Sequence, residues 1–118
     1  MPLPEFKQLV DEVKKEIKEI DVHELKRMQQ AGENFDLIDV REKEESAQGH
    51  IPGAHNVPRG VLELRIDEVT ADKDRKIVCY CGGGSRSALS AYMLKRMGFK
   101  NVMSLAGGYR SWKESDGQ

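Results

Sequence analysis

A short segment in the second half of the chain combines a thiol, a run of glycines and a positive charge. Its residues are Cys81, Gly82, Gly83, Gly84, Ser85 and Arg86. The segment follows an apolar run and precedes a stretch with helical periodicity. A nucleophile in this position lies at the carboxyl end of a buried strand, where open α/β sheets bind their ligands. The order of residues therefore indicates an anion-binding loop with a cysteine nucleophile.

The glycines of this loop suit a sulfur that carries negative charge. Successive glycines let the backbone turn several N–H groups inward, and the helix that follows adds its positive N-terminal end. This environment favours thiolate over thiol at Cys81, and it also suits the anionic outer sulfur of a persulfide. Arg86 adds a permanent charge for an oxyanion such as thiosulfate. We expect Cys81 and Arg86 to be catalytic, without a metal or cofactor, and Gly82, Gly83, Gly84 and Ser85 to bind substrate. The alternative is a buried structural cysteine beside an ordinary glycine-rich turn.

Three other residues are candidates for a part in this chemistry. Arg59 and Arg65 follow Pro58 and either line the mouth of the pocket, where they admit anions, or are ordinary surface arginines. Cys79 is separated from Cys81 by one residue. We expect the two thiols to point to opposite faces of the strand, which disfavours a disulfide, and we expect Cys79 to be buried rather than to resolve oxidised Cys81.

Two further pairs have plainer interpretations. Asp39 and Arg41 end the first apolar strand and resemble an acid–base pair, but we favour an ion pair that fixes the loop after it. His50 and His55 flank a Pro-Gly turn and lack the third and fourth ligands of a metal site. We therefore interpret His50 as a hydrogen-bonding residue of the turn.

The elements that must position the loop follow an α/β pattern. Short apolar runs at 35–40, 76–80 and 101–105 predict strands that are covered on both faces. A helical pattern at 86–97 lies between the second and third of these runs, and Gly98 ends it. Strand, helix and strand in this order predict a right-handed crossover and a parallel sheet. A last helix is expected at 108–113.

The start of the chain predicts two helices. Apolar residues recur at helical spacing from Glu5 to Ile20, which indicates an amphipathic helix over that range. Asp21 then has the features of an N-cap for a second helix, Val22 to Gln30. We treat residues 1–20 as an N-terminal extension and residues 21–118 as the main domain. The extension either packs on its own domain, which we favour, or docks a partner.

The totals of the chain restrict its class. A length of 118 residues fits one domain, and a formal net charge of -1 gives no basic field to attract nucleic acid. No apolar segment resembles a signal peptide or a membrane span. Two cysteines, with no expected disulfide, suit a reducing compartment. We expect a cytoplasmic protein that binds neither nucleic acid nor membrane.

Four stretches of the sequence resemble the rhodanese family of single-domain sulfurtransferases. They are Leu37-Ile38-Asp39-Val40-Arg41, the segment from Gly49 to Pro58, the Cys81 loop and the segment from Leu105 to Trp112. The resemblance implies a sheet of about five parallel strands flanked by helices. It also implies that Cys81 carries a persulfide, with thiosulfate as a common donor and cyanide as a test acceptor. The partners expected are thus a small anionic sulfur donor and a thiol or cyanide acceptor, or a protein persulfide.

Loop length separates this family from the related cysteine phosphatases, which carry five residues between Cys and Arg. Here four residues lie between Cys81 and Arg86, as in the sulfur-transferring branch. A phosphoryl group that bears an alcohol needs more room than a terminal sulfur. The competing functions are a cysteine phosphatase or arsenate reductase, and a non-catalytic interaction module of the same fold. The intact Cys81 loop favours catalysis over the module.

Overall fold

The computed structural model describes residues 2–116, and these residues form six α-helices and five strands. The strands are β1 (Lys18–Ile20), β2 (Asp36–Asp39), β3 (His55–Asn56), β4 (Lys76–Tyr80) and β5 (Asn101–Leu105). The helices are α1 (Pro4–Lys14), α2 (Val22–Gln30), α3 (Lys43–Ala47), α4 (Leu62–Arg65), α5 (Ser85–Arg96) and α6 (Gly108–Asp116). Short 3-10 turns, Arg59–Val61 and Ile66–Glu68, flank α4. Within the described residues, no helix has both the length and the apolar character needed to cross a bilayer.

The five strands form one parallel sheet in the order β1-β5-β4-β2-β3. The strand β4 is central, with Cys79 opposite Ile38 on β2 and opposite Ser104 on β5. Strand β4, helix α5 and strand β5 form the expected crossover unit. The loop that follows β4 therefore opens at the middle of the carboxyl edge of the sheet.

Side chains of β4 alternate between two cores because successive residues of a strand point to opposite faces. Val78 and Tyr80 belong to the core beneath α2. Ile77 and Cys79 belong to the core on the other face, which includes Leu94 of α5. All four of these β4 residues are inaccessible to solvent. Both faces of the sheet are thus covered, as the uninterrupted apolar runs predicted.

The predicted elements around the loop are confirmed. Strands β4 and β5 have the expected limits, and β2 lies inside the predicted range 35–40. Helix α5 begins one residue earlier than expected and α6 extends three residues further. Asp21 is the N-cap of α2, and its side chain accepts a hydrogen bond from the Glu24 amide at 2.9 Å.

The expected helix over Glu5 to Ile20 is wrong in its second half. Helix α1 ends at Lys14, and Lys18–Ile20 form β1, which pairs in parallel with Met103 to Leu105 of β5. Pairing supplies these residues with a ladder partner and buries Ile20, and β-branched side chains suit such a position. A strand of three residues has no periodicity that separates it from the last turn of a helix. The sheet therefore includes residues 18–20, which we assigned to the N-terminal extension in the division at residue 20.

Helix α1 packs on its own domain, as we favoured. Val10 and Val13 are buried against Ala88 of α5, and Phe6 and Tyr92 border the same cluster. The apolar stripe of α1 is therefore the surface by which it covers α5. Leu9 lies beside that stripe and remains 49% exposed.

Candidate active site

The loop from Cys81 to Arg86 connects the end of β4 to the start of α5. Gly84 is the N-cap of α5 and has φ of +112°, a backbone conformation that favours glycine over other residues. In this conformation, the Gly84 amide points back toward the strand and donates to Cys81 Sγ at 3.1 Å. The third glycine therefore turns the chain around the sulfur.

A second amide points at the same sulfur. Ser87 N donates to Cys81 Sγ at 3.4 Å. Ser87 is the third residue of α5, and amides of a first helical turn have no acceptor within their own helix. The sulfur thus receives donors from both the loop and the helix N-terminus, an arrangement that stabilises negative charge on it. The expected inward orientation is observed for these two amides.

The thiol of Cys81 lies at the base of the loop, and the residue is 1% exposed. Gly83 at the rim is exposed, and Gly82, Ser85 and Arg86 are half-buried. The amides of Ser85 and Arg86 open α5 and donate to no acceptor within residues 2–116. The loop therefore has two further N–H groups without a protein acceptor in the described part of the chain.

Two buried serines that are not among the predicted site residues support the sulfur. Ser87 Oγ lies 3.6 Å from Cys81 Sγ and 2.8 Å from Ser104 Oγ on β5. Both serines are inaccessible to solvent. Ser87 Oγ also donates to the Gly84 carbonyl at 3.3 Å, so it contacts the loop from below. The sequence feature that could have revealed this pair is Ser87 itself, a polar residue in the first turn of α5 that lies on the face with the apolar residues Ala91 and Leu94.

Helix α6 holds the loop from the other side. Tyr109 N donates to the Cys81 carbonyl at 2.7 Å, and Arg110 N donates to the Gly82 carbonyl at 3.1 Å. A Cβ on Gly108 would collide with the backbone of Cys81 and Gly82, so only glycine allows this approach. The N–H and C=O of a trans peptide point in opposite directions. With the carbonyls turned to α6, the amides of the next residues point away from it.

Arg86 is at the end of the loop and is bound to an acidic residue that the sequence analysis did not select. Its guanidinium donates to Glu45 Oε1 at 2.7 Å and to Oε2 at 3.1 Å. The hydrogen bonds from Arg86 lower the pKa of Glu45 to about 2. The Arg86 side chain is 37% exposed and its Nη2 lies beside Gly82. The charge expected for anion capture is therefore present at the loop but shared with Glu45.

The expected orientation of the two cysteines is wrong. Cys79 and Cys81 lie in the same hydrophobic cluster on the α5 face, because residues two apart on a strand share a face. Both are free thiols. Burial raises the pKa of Cys79 to about 12. Cys79 is thus buried in the sheet, as expected, and is held as a neutral thiol.

The two candidate arginines after Pro58 are both engaged in ion pairs. Arg59 Nη1 lies 2.6 Å from Glu63 Oε1, and Arg65 Nη2 lies 2.9 Å from Glu68 Oε1. The pair of Arg65 and Glu68 is exposed, which agrees with the alternative that Arg65 is an ordinary surface arginine. Within the described residues, neither side chain forms a hydrogen bond or ion pair with the Cys81 loop. A role for Arg59 in binding substrate stays a prediction.

The interpretations of Asp39, Arg41 and His50 are confirmed. Arg41 Nη2 lies 2.8 Å from buried Asp39 and donates to the Gly49 carbonyl at 2.7 Å, so the pair ties down the loop between them. His50 Nδ1 lies 3.1 Å from the Ser46 carbonyl. Across residues 2–116, no group of three or more His, Cys, Asp or Glu side chains is arranged to hold a metal ion.

A thiol beneath inward amides, at the carboxyl end of a central parallel strand, is the arrangement that the apolar run, the glycines and the helix start around Cys81 predicted. The rhodanese-like domain family matches residues 21–115. The chain belongs to this family. It is 35% identical over 96 residues to a sulfurtransferase from Allochromatium vinosum. The aligned region covers 81% of this chain and 88% of that relative. It is also 35% identical to a putative sulfur carrier protein from Bacillus subtilis, of whose length it spans about half, 51%.

Solved structures reproduce the fold. Human single-domain sulfurtransferase TSTD1 matches with a TM-score of 0.74 and 28% identity, covering 81% of this chain and 95% of that one. A protein of unknown function from Rhodopseudomonas palustris, described as a possible tyrosine phosphatase, matches with a TM-score of 0.88 and 30% identity. That match covers 98% of this chain and 96% of the other, so it extends over the region that contains α1. Together these likenesses support a sulfurtransferase of the rhodanese type.

Proposed function

We propose that the chain transfers a sulfane sulfur from thiosulfate or a persulfide donor to a thiol or to cyanide, with Cys81 as the carrier. The observation that supports this most directly is the pair of amides, Gly84 N and Ser87 N, that donate to Cys81 Sγ. They stabilise the thiolate that attacks the donor and the thiolate that is released when the acceptor leaves.

The loading step is a displacement at sulfur. The Cys81 thiolate attacks the outer sulfur of thiosulfate, an S–S bond forms to Cys81, and the S–S bond of thiosulfate breaks. Its electron pair leaves with sulfite, which is a stable dianion. The products are a Cys81 persulfide anion and sulfite, so no external oxidant or proton donor is needed. The amides of Ser85 and Arg86, which have no protein acceptor among residues 2–116, are then available to the outer sulfur.

The discharge step reverses the roles. An acceptor thiolate attacks the outer sulfur of the protonated persulfide, and the S–S bond to Cys81 breaks. The electron pair returns to Cys81 Sγ, and the acceptor leaves as its own persulfide with the proton. Cyanide attacks the same outer sulfur of the anionic persulfide and leaves as thiocyanate.

Named relatives favour these substrates. The chain is 33% identical over 99 residues to the thiosulfate sulfurtransferase GlpE of Shewanella oneidensis. It is 34% identical over 92 residues to a human thiosulfate:glutathione sulfurtransferase. We therefore propose thiosulfate as the donor and a small thiol as the acceptor. The two unpaired thiols suit a reducing compartment, and we propose a cytoplasmic location on that basis.

The competing phosphatase function receives less support. One structural relative is described as a possible tyrosine phosphatase. Here four residues separate Cys81 from Arg86, and Arg86 is bound to Glu45, so the loop is short and its charge is partly neutralised. A phosphoryl group that bears an alcohol needs more room and more converging donors than a terminal sulfur.

Intact mass spectrometry tests the proposal. Incubation with thiosulfate should add one sulfur atom to the wild-type protein, and a reducing agent should remove it. Cys81→Ser should show no gain, and Cys79→Ser, as the matched control, should load normally. A wild-type protein that gains no sulfur but hydrolyses an aryl phosphate would establish the phosphatase alternative instead.

A further inference from the structure

A cleft borders the Cys81 loop on the side of α6. It has a volume of about 360 Å³ and is lined by Gly82, Tyr109, Arg110, Lys113 and Glu114. Gly82 directly follows the candidate nucleophile, so whatever fills the cleft lies beside the mouth of the loop. Thiosulfate, with five heavy atoms, would fill only a small part of it.

The positive side chains of this cleft lack the carboxylate partners that the arginines near the loop have. Arg86 is paired with Glu45, and Arg41 is paired with buried Asp39. Arg110 and Lys113 form no ion pair within residues 2–115. Within this range the charges of Arg110 and Lys113 are therefore not offset by a carboxylate, although Lys113 Nζ lies 5.7 Å from the centroid of the Tyr109 ring.

The spacing of the charged residues on α6 defines what the cleft can recognise. Arg110 and Lys113 are three residues apart, so their side chains project from neighbouring positions on one face of the helix. Glu114 lies four residues after Arg110 and adds a single carboxylate to the same cleft. Two cations and one anion complement a ligand with two carboxylates and one ammonium group. Simple anions would use only the cations.

The backbone fixes this arrangement relative to the sulfur. The amides of Tyr109 and Arg110 are engaged with the Cys81 and Gly82 carbonyls at 2.7 and 3.1 Å. The first turn of α6 is thus attached to the loop, and this attachment holds the backbone of Arg110 and Lys113 beside it. A ligand that binds them is presented to the loop without a hinge or closing segment.

We propose that Arg110 and Lys113 determine acceptor specificity, by binding the carboxylates of a small zwitterionic thiol whose sulfur then reaches the Cys81 persulfide. This inference rests on the proposed sulfur transfer and names the acceptor class that the α6 cleft selects. Glu114 meets the ammonium group of the same acceptor. The cations act on capture of the acceptor and not on loading by thiosulfate, whose reacting sulfur enters the loop itself.

Steady-state kinetics with glutathione as the probe test this assignment. In the double variant Arg110→Gln/Lys113→Gln we expect the KM for glutathione to rise about tenfold, equivalent to about 1.4 kcal/mol of binding. Loading of Cys81 by thiosulfate and discharge to uncharged dithiothreitol should stay within about twofold of wild type. Arg96→Gln, at the far end of α5, is the matched control and should change none of these values.

Two further measurements make the test specific for carboxylate binding. Glutathione ethyl ester, which masks one carboxylate, should have a raised KM with wild type and a smaller further increase with the double variant. Added salt should raise the KM for glutathione in wild type more than in the double variant, because exposed charges are screened.

The outcomes separate this inference from the proposed function. If wild type loads sulfur and the double variant discharges to glutathione with an unchanged KM, the α6 assignment is wrong and the sulfur transfer stands. An equal loss with glutathione and dithiothreitol would also overturn it, since that result would indicate a general defect of the loop. If wild type never loads sulfur, the proposed function itself fails.

Discussion

The guanidinium of Arg86 donates to both carboxylate oxygens of Glu45, at 2.7 and 3.1 Å, across 41 positions of the sequence. Glu45 Oε1 also accepts a hydrogen bond from the Glu42 amide at 3.0 Å, as part of the capping box of α3. One carboxylate thus fixes the start of a helix and the arginine of the candidate catalytic loop. The Glu45 carboxylate sets the direction of the Arg86 side chain and offsets its positive charge.

Removal of Arg86 should weaken capture of the anionic donor. We expect Arg86→Ala to lower kcat/KM for thiosulfate about tenfold, mainly through KM, because an exposed charge near the loop acts on binding. Arg86→Lys keeps the charge but cannot form the paired contact with Glu45, so its value should be intermediate. Steady-state rates with thiosulfate and cyanide measure both. An unchanged kcat/KM in Arg86→Ala would remove the residue from the mechanism.

The Arg86–Glu45 pair should also appear in the pH dependence of stability. Because the pKa of Glu45 is lowered from 4.5 to about 2 in the folded protein, the pair stabilises the fold above pH 4.5. This contribution is lost as the pH falls from 4.5 toward 2. Wild type should therefore lose about 0.5–1 kcal/mol more than Glu45→Gln over this interval, a small value because the pair is partly exposed.

Urea unfolding at pH 7, 4.5 and 3 would measure this difference in the free energy of unfolding. Parallel pH profiles for wild type and Glu45→Gln would show that the ion pair does not stabilise the fold.

The buried serine beneath the sulfur should affect reactivity at Cys81. Cys81 Sγ donates to Ser87 Oγ at 3.6 Å while it is a thiol, and once the sulfur is a thiolate the hydroxyl proton can turn from the Gly84 carbonyl to the sulfur. Ser87→Ala removes that donor, and we expect alkylation and sulfur loading to slow about fivefold, as for the loss of one hydrogen bond of about 1 kcal/mol. Ser90→Ala is the matched control, since its hydroxyl donates only to the Arg86 carbonyl, at 2.8 Å. Equal effects of the two substitutions would mean that Ser87 acts only through the stability of α5.

Helix α1 should contribute stability and no chemistry. Val10→Ala combined with Val13→Ala removes two buried side chains from the contact with α5, which should cost about 3 kcal/mol in the free energy of unfolding. Leu9→Ala, at a position that is 49% exposed, should cost much less. Sulfur loading at a temperature where each variant is folded should be unchanged. Loss of loading in a folded variant would give α1 a functional role that its packing does not explain.

Much of the fold and the centre of the site could be predicted because their signals are local. Apolar runs without alternation indicate strands covered on both faces. The limits predicted from these runs for β4 and β5 are the observed ones. A cysteine followed by glycines and a helix start indicates a loop with inward amides, and Gly84 N points at Cys81 as this pattern requires. Each of these features depends on neighbours within a few residues.

Only the tertiary structure decided the rest, because those contacts join elements that are distant along the chain. No local pattern links Glu45 to Arg86, Ser104 to Ser87 or α6 to the loop carbonyls. Strand β1 could not be predicted for the same reason. Residues 18–20 fit the helical spacing of the preceding residues, and only their pairing with the edge of β5 makes them a strand. Periodicity and turn chemistry act over a few residues, whereas these pairings follow from how the packed layers bring separate segments together.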